Sequence, residues 1–383
     1  MRKAWLIILS VLFFFQPQCW LRGLESSEGL NLDDEIVRRM TEYNLPSLAA
    51  CIIKGDEIVW EGAYGYASLE RRVPATRETV YLLASVSKLV VVTAVMQLAE
   101  SGIIDIDEDI NAYLPFPVMN PNYPDRKITV RMLLTHTSGI TKPKTDDELP
   151  GFYDWYPADL APSLRETMEE YLLPGGLHYV PAVWKNTMPG KREMYSNLGV
   201  SLLAYLVEFV SGEDFNSYCK NHIFLPLEMP NTSYLLRDLD ASKLAAWYIN
   251  SAPIPYYTRR DYPAGQLKSS VEEFSHFLMA YMNGGEYQGQ RILSESTVGQ
   301  ILKVQNKASG MCLIWNKMIG GWYGHSGGGN GASTYVEFHK EDRVGLIVFA
   351  NMYISSDNPL FPPQGEIYSL IRQEADKYRG GGK

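Results

Sequence analysis

Ser85 and Lys88 are the residues of this sequence whose types and spacing most directly suggest chemistry. They stand three residues apart in a segment predicted to be helical to about Glu100, so their side chains share one helix face. A serine hydroxyl needs a neighbouring base to act as a nucleophile, and a lysine held neutral by burial can be that base. The positive helix N-terminus would stabilise a developing oxyanion. For this tetrapeptide alone, a helix-capping serine and a solvated lysine are the favoured interpretation.

Two further motifs follow in the chain, Tyr195-Ser196-Asn197 and His325-Ser326-Gly327. With Ser85-Val86-Ser87-Lys88, their order resembles that of the serine β-lactamase and penicillin-binding-protein superfamily. The resemblance is closest to the class C branch, whose second motif is Y-x-N. The stretches LLTHTSG, at 133–139, and PAGQL, at 263–267, also look like family sequence. Each motif alone is weak, but all of them in order are specific.

The resemblance implies a role for each motif residue. Ser85 would attack an acyl carbon, and Lys88 and Tyr195 would pass its proton to the leaving group and then activate water. A tyrosine beside a cationic lysine is expected to have a lowered pKa. Asn197 would hydrogen-bond the substrate and hold Lys88, and the backbone N–H groups of Ser85 and Gly328 would form the oxyanion hole. Taken singly, Tyr195 would be a core tyrosine and Asn197 a turn former.

The third motif departs from the family pattern. Lactamases and transpeptidases usually carry a lysine where His325 stands, and that charge helps to bind a substrate carboxylate. His325, Ser326 and Gly327 are still expected to bind substrate, but a histidine is largely neutral near pH 7. The departure weakens the prediction of efficient β-lactam turnover. Histidine at this point resembles D-aminopeptidases, alkaline D-peptidases and esterases of the superfamily.

The segment Gly324–Gly328 also matches G-x-S-x-G, the nucleophile elbow of α/β-hydrolases. That elbow follows a strand and opens a helix, with an acid and then a histidine later in the chain. Here the residues that follow, 333–338, read as a strand, and His339 precedes Asp342. We therefore reject Ser326 as the nucleophile. Among the other histidines, His136 lies at a predicted helix end, where it is expected to bind backbone.

The predicted secondary structure that positions these residues changes in type along the chain. A helix and a β-hairpin come first, helices fill the middle, and strands with a final helix close the chain. We predict an α+β fold with a central antiparallel sheet flanked by helices, built from 30–104 and 266–379. A mainly helical domain, 105–265, would be inserted and would carry the Tyr-x-Asn motif. The resemblance implies a β-lactamase/transpeptidase-like fold, with the site in a cleft between the two units.

The stretch from about Thr141 to Arg192 is rich in proline, tyrosine and tryptophan. Loops of this length inside a compact domain are usually functional or disordered, and the aromatic residues favour an ordered one. The stretch would form a lid or a pocket wall. An insertion packed only on its own aromatic residues is about equally supported.

The composition of the chain limits the classes of partner and cofactor that it is expected to bind. The formal charge of −9 over 383 residues, without a basic cluster, argues against a nucleic-acid partner. The cysteines are scattered, without metal-ligand spacing, and no cofactor or metal is predicted; Cys51 and Cys219 are expected in the core. Residues 1–22 are predicted to be an export signal, with an uncleaved membrane anchor as the second interpretation and a lipid anchor on Cys19 as the third.

The leading hypothesis is therefore an exported, periplasmic or extracellular serine hydrolase that forms an acyl-enzyme on esters or on peptides, including peptides with D-residues. Its partner would be a small-molecule or peptide substrate. A class C-type β-lactamase or D-Ala-D-Ala carboxypeptidase is the second hypothesis. The third, from a different class, is a penicillin-binding sensor that is acylated without turnover. Neither the substrate nor the oligomeric state follows from the sequence.

Overall fold

The computed structural model describes residues 31–141, 149–353 and 361–380. The predicted export signal therefore lies outside the described residues. The α-helices are α1 (Leu32–Glu42), α2 (Lys88–Glu100), α3 (Val130–Leu134), α4 (Leu164–Leu172), α5 (Asn197–Ser211), α6 (Phe215–Cys219), α7 (Val271–Met282), α8 (Glu295–Ile301) and α9 (Phe361–Asp376). In this part of the chain, no helix combines the length and apolarity needed to cross a membrane.

The strands divide between one large sheet and several short pairings. The strands are β1 (Ser47–Lys54), β2 (Glu57–Ser68), β3 (Val73–Pro74), β4 (Tyr81–Leu82), β5 (Tyr156–Pro157), β6 (Trp247–Ile249), β7 (Ala252–Ile254), β8 (Tyr257–Thr258), β9 (Lys268–Ser269), β10 (Glu286–Tyr287), β11 (Gln290–Arg291), β12 (Asn316–Lys317), β13 (Trp322–Gly329), β14 (Ala332–His339), β15 (Val344–Ala350) and β16 (Met352–Tyr353). The large sheet is antiparallel and has the order β12-β13-β14-β15-β1-β2-β3.

The centre of this sheet joins the two ends of the chain. Strand β1 pairs with β15 from Leu48 opposite Ala350 to Lys54 opposite Val344. Alternate residues of these strands enter two different cores, as the two-residue period of a strand requires. Helices α1 and α9 pack on one face of the sheet and α7 on the other. Helices therefore cover both faces, which confirms the predicted antiparallel sheet flanked by helices.

Helix α2 is buried on all sides, which explains its unusual sequence. The run Val90-Val91-Val92 has poor helix propensity, but every residue from Lys88 to Met96 is buried. Packing against α5 and neighbouring elements therefore supplies the stability that the sequence lacks locally. Gly102 follows the helix with φ of 76°, a left-handed conformation that glycine adopts without steric cost.

The predicted elements differ from the structure mainly at their ends. The helix predicted to contain Ser85 begins at Lys88, and a 3-10 turn precedes it. In α1, Ile36 and Met40 are buried, whereas Val37 is 47% exposed. Cys51 and Cys219 are buried and free, in agreement with their predicted core positions. The domain boundaries remain a prediction.

Candidate active site

Ser85 lies in the 3-10 turn Ala84–Ser87, which runs directly into α2. Ala84 has φ of 46°, a left-handed conformation that is uncommon for a residue other than glycine. Such conformations cost about 1–3 kcal/mol and persist where the surrounding structure imposes them. Here the Thr334 hydroxyl of β14 donates to the Leu83 carbonyl oxygen at 2.8 Å. The sheet thus holds the backbone that presents Ser85.

Lys88 is fully buried beside the serine hydroxyl. Its Nζ lies 3.0 Å from Ser85 Oγ and donates a hydrogen bond to the backbone carbonyl oxygen of Ala264. A buried amine is costly unless it is hydrogen-bonded, and the Ala264 carbonyl compensates that cost. The same contact aims the amine at Ser85.

Tyr195 completes the group of three side chains. A hydrogen bond joins its side chain to that of Ser85, and Lys88 Nζ lies 4.9 Å from the centroid of its ring. The structure therefore brings Ser85, Lys88 and Tyr195 together. Burial raises the pKa of Tyr195 above its ordinary value, and the charge of Asp261 raises it further, although the Ser85 hydrogen bond opposes them. The expectation of a lowered pKa was wrong, because desolvation outweighs stabilisation of the phenolate.

A single residue, His136, holds the backbone on both sides of Tyr195. The Met194 N–H donates to the His136 carbonyl oxygen at 2.6 Å, and the Ser196 N–H donates to His136 Nδ1 at 3.3 Å. The imidazole also lies against the Tyr195 ring, with 4.6 Å between centroids. The prediction that His136 binds backbone is confirmed, and the backbone it binds is that of the candidate catalytic tyrosine.

Asn197 lies at the first turn of α5, and its amide is held by a buried carboxylate. Asn197 Nδ2 donates to Asp261 Oδ2 at 2.8 Å, and Arg259 Nε lies 3.1 Å from Asp261 Oδ1. Among the described residues, Asn197 Oδ1 has no hydrogen-bond partner. The expectation that Asn197 holds Lys88 was therefore wrong, and the Ala264 carbonyl does so instead.

His325 is buried on β13 and is held in one tautomer. Its Nδ1 lies 2.6 Å from the Ser326 carbonyl oxygen, which can only accept, so Nδ1 carries the proton. Burial lowers the pKa of His325 to about 4, and the nearby charge of Lys88 contributes to the shift. His325 is thus neutral near pH 7, and it supplies no fixed positive charge.

The glycines that follow His325 bring β13 against the nucleophile turn. A Cβ on Gly327 would lie 2.4 Å from the Leu83 carbonyl oxygen and 3.0 Å from the Ser85 nitrogen, so only glycine permits this approach. Gly328 and Ser85 both line a cavity of about 50 Å³. The N–H groups assigned to the oxyanion hole therefore belong to residues on the walls of one small cavity. Ser326 is exposed within β13, which pairs with β14 rather than opening a helix.

The aromatic insertion packs against a residue that lines the same cavity. Trp155 stacks on Tyr257 with 4.5 Å between ring centroids and 9° between planes, and Tyr257 lines the cavity. Strand β5 of the insertion pairs with β8, which contains Tyr257. Phe152 and Tyr171 pack against each other, so part of the insertion is also stabilised by its own aromatic residues. The insertion therefore does not pack only on its own aromatic residues. Its role as a lid or pocket wall remains a prediction, and residues 142–148 lie outside the described residues.

Sequence reasoning missed several residues of the site. Tyr257, Arg259, Asp261 and Gln266 line the cavity, but they belong to no predicted motif, apart from Gln266 in the PAGQL stretch. The contribution of Ala264 is a backbone carbonyl, which residue type cannot reveal. Within the described ranges, no group of three or more His, Cys, Asp or Glu residues could hold a metal ion.

Comparison with known proteins agrees with this geometry. The family model described as Beta-lactamase matches residues 32–359. Protein flp of Staphylococcus aureus (strain NCTC 8325 / PS 47) is 23% identical over 343 residues, which are 86% of this chain and 64% of that protein. The chain thus spans less than two thirds of the length of that curated relative.

Two solved structures share the fold. The octameric penicillin-binding protein homologue from Pyrococcus abyssi has a TM-score of 0.73 and 25% identity, with 91% of this chain and 78% of that chain covered. A class C beta lactamase from Rhodobacter sphaeroides has a TM-score of 0.68 and 19% identity, with coverage of 90% and 100%. The predicted β-lactamase/transpeptidase-like fold is thereby confirmed.

Proposed function

Because this chain belongs to the beta-lactamase family, which comprises serine hydrolases and related penicillin-binding proteins, we propose that it is a serine hydrolase working through an acyl-enzyme on Ser85. The observation that carries the proposal is the convergence of Ser85 Oγ, Lys88 Nζ and the Tyr195 side chain. A nucleophile and a base within hydrogen-bond reach are what acyl transfer by serine requires.

The acylation step uses these groups as follows. In the molecules whose Lys88–Tyr195 pair has lost one proton, Ser85 Oγ attacks the acyl carbon, and its proton passes into that pair. The carbonyl oxygen becomes an oxyanion, which the N–H groups of Ser85 and Gly328 would stabilise. When the oxyanion collapses, the leaving group departs with the proton returned by the pair. Water then attacks the ester of Ser85, and the same groups transfer the proton in the reverse sense.

The substrate proposed is an ester or a peptide, including peptides with D-residues, rather than a β-lactam. The neutral state of His325 supports this choice, since its pKa is lowered to about 4. Without a cation at this place, the third motif offers no charge to a substrate carboxylate. A class C-type β-lactamase or D-Ala-D-Ala carboxypeptidase would need that interaction from another residue.

The experiment uses p-nitrophenyl esters and two serine variants. Ser85→Ala should abolish turnover and the acyl adduct seen by intact mass spectrometry, whereas Ser326→Ala should retain both. Loss of turnover in Ser326→Ala alone would contradict the assignment. A chromogenic β-lactam separates the alternatives: fast turnover would favour a lactamase, and a stoichiometric burst without steady state would favour a non-turnover penicillin-binding sensor.

We also propose that the protein is exported, with residues 1–22 as the signal. The apolar run after Arg2 and Lys3 supports the proposal. Mass spectrometry of the protein's N-terminus in extracellular, membrane and cytosolic fractions would distinguish a cleaved signal, an uncleaved anchor and a lipid on Cys19. Intact protein confined to the cytosol would contradict export.

A further inference from the structure

The backbone on both sides of Ser85 is held by one residue of a distant segment, Leu267. The Leu83 N–H donates to the Leu267 carbonyl oxygen at 2.8 Å, and the Leu267 N–H donates to Ser87 Oγ at 3.0 Å. The Ser87 hydroxyl in turn donates to the Ala84 carbonyl oxygen at 2.6 Å. The position of Ser85 therefore depends on where the backbone of Leu267 lies.

Lys268, the next residue of that segment, carries a buried amine that the proposed mechanism does not use. The residue is 0% exposed, and among the described residues its Nζ has one hydrogen-bond partner, the Tyr234 carbonyl oxygen at 2.6 Å. A protonated amine offers three N–H donors, so a single acceptor compensates its burial poorly. Burial lowers the pKa of Lys268 to about 7, although the charge of Asp159 opposes the shift. Near pH 7 the amine therefore lowers the stability of the fold.

The hydrogen bond of Lys268 closes a ring of contacts behind the turn that carries the nucleophile. The hydroxyl of Tyr234, which is also fully buried, donates to the Ser87 carbonyl oxygen at 3.1 Å. Leu267 binds Ser87 Oγ and is followed directly by Lys268. A closed contact ring is thus formed by Ser87, Leu267, Lys268 and Tyr234. It holds Ser87 at its hydroxyl and at its carbonyl oxygen.

We propose that Lys268 is a positioning residue, which acts through the contact ring to fix the distance between Ser85 Oγ and Lys88 Nζ. Lys88 directly follows Ser87, so a shift of Ser87 moves the base that lies 3.0 Å from the nucleophile. A displacement of about 1 Å can lower the rate of an enzyme about a hundredfold. This inference rests on the proposed function, because the step that it affects is acyl transfer to Ser85.

Two variants open the contact ring at different points. Lys268→Met keeps the length of the side chain and removes the amine. The backbone of Lys268 pairs with that of Ser233 at 2.9 and 3.1 Å and with Leu82 independently of the amine, so this variant should fold. Tyr234→Phe removes the hydroxyl and keeps the aromatic ring that packs against Phe215, with 5.3 Å between centroids.

The test follows the burst of p-nitrophenol from p-nitrophenyl acetate by stopped-flow at several ester concentrations. This separates the acylation rate constant of Ser85 from the affinity for the ester. We expect each variant to lower the rate constant about tenfold or more, with less than about a twofold change in affinity. The double variant should be within about threefold of the slower single variant, because either change alone opens the contact ring.

The stability of Lys268→Met provides an independent measurement. Because the buried amine lowers the stability of the fold near pH 7, the midpoint of urea unfolding of this variant at pH 7 should equal or exceed that of the wild type. Activity should therefore fall without a loss of stability. A lysine that only supports the fold would not separate the two quantities in this way.

Two matched control variants remove the same groups elsewhere in the protein. The Lys54 amine also donates to backbone carbonyl oxygens, those of Asp342 at 2.8 Å and Tyr378 at 2.9 Å. The hydroxyl of Tyr281, also a buried residue, lies 2.7 Å from Thr93 Oγ1 of α2. Lys54→Met and Tyr281→Phe should acylate within about twofold of the wild-type rate, since neither residue belongs to the contact ring.

The outcomes separate this inference from the proposed function. Unchanged acylation in Lys268→Met, or losses that multiply in the double variant, would overturn the positioning role and leave the hydrolase intact. Equal losses in the control variants, or a lowered urea midpoint of Lys268→Met, would also overturn it, because the loss of rate would then reflect general destabilisation. Absence of any acyl adduct on Ser85 in the wild type would instead contradict the proposed function.

Discussion

Replacing His325 with asparagine should make the protein less sensitive to acid. Asparagine can still donate a hydrogen bond to the Ser326 carbonyl oxygen, but it does not titrate. In the folded protein, burial and the charge of Lys88 lower the pKa of His325 from 6.5 to about 4. The unfolded chain therefore binds a proton between pH 6.5 and 4 that the folded protein does not bind, and stability falls with pH across this window.

The size of the effect follows from these two values. The gap between 6.5 and about 4 corresponds to about 3.4 kcal/mol of unfolding free energy when the window is crossed completely. Between pH 7 and pH 5, about 2 kcal/mol of it is lost. Glu208 and Glu337, whose pKa values burial raises to about 7, act in the opposite direction, because they bind protons in the folded state. Wild type and variant share both glutamates, so the contribution of these residues cancels in the difference between the two unfolding free energies.

The assay is urea denaturation of wild type and His325→Asn at pH 7 and pH 5. The wild type should lose about 2 kcal/mol more than the variant on acidification. His222→Asn is the control, because His222 is an exposed partner of Glu213 at 2.7 Å and such pairs contribute about 0–1 kcal/mol. Equal acid sensitivity of wild type and His325→Asn would refute the reasoning that burial holds His325 neutral.

Three further predictions concern the site. Because burial keeps Tyr195 protonated near pH 7, the rate of ester acylation, measured by stopped-flow, should rise from pH 7 to pH 10. Tyr195→Phe should flatten that rise. An equal rise in the variant would exclude Tyr195 as the group whose deprotonation increases the rate. His136→Phe keeps an aromatic ring but removes the acceptor for the Ser196 N–H. It should therefore lower kcat about tenfold with little change in KM and destabilise the fold by about 1–3 kcal/mol. His136→Asn, which offers an oxygen acceptor, should recover part of kcat, and equal losses of kcat in the two variants would contradict a positioning role. Gly327→Ala should lower kcat/KM at least a hundredfold, because its Cβ would lie 2.4 Å from the Leu83 oxygen and 3.0 Å from the Ser85 nitrogen. Gly299→Ala is the control, since its Cβ would have no atom within 4 Å. Similar activity in both variants would show that the turn at Ser85 can shift to accommodate the methyl group.

The sequence by itself determined the features that depend on residue type and local spacing. The three motifs identified Ser85, Lys88 and Tyr195, and the apolar segments at the two ends of the chain predicted the early hairpin and the late strands, including the one at 333–338. The burial of Val90-Val91-Val92 could be inferred because no exposed helix would use such a run. These inferences succeeded because side-chain periodicity and helix propensity act over a few neighbouring residues.

Tertiary structure alone decided how these residues are held and charged. The Ala264 carbonyl that holds Lys88 lies 176 residues from it along the chain, and a backbone group carries no signal in the sequence. The sign of the Tyr195 pKa shift was predicted wrongly, since it depends on the balance between burial and neighbouring groups brought together by folding. Contacts between segments far apart in the chain fix desolvation and hydrogen-bond direction, and these in turn decide the chemistry.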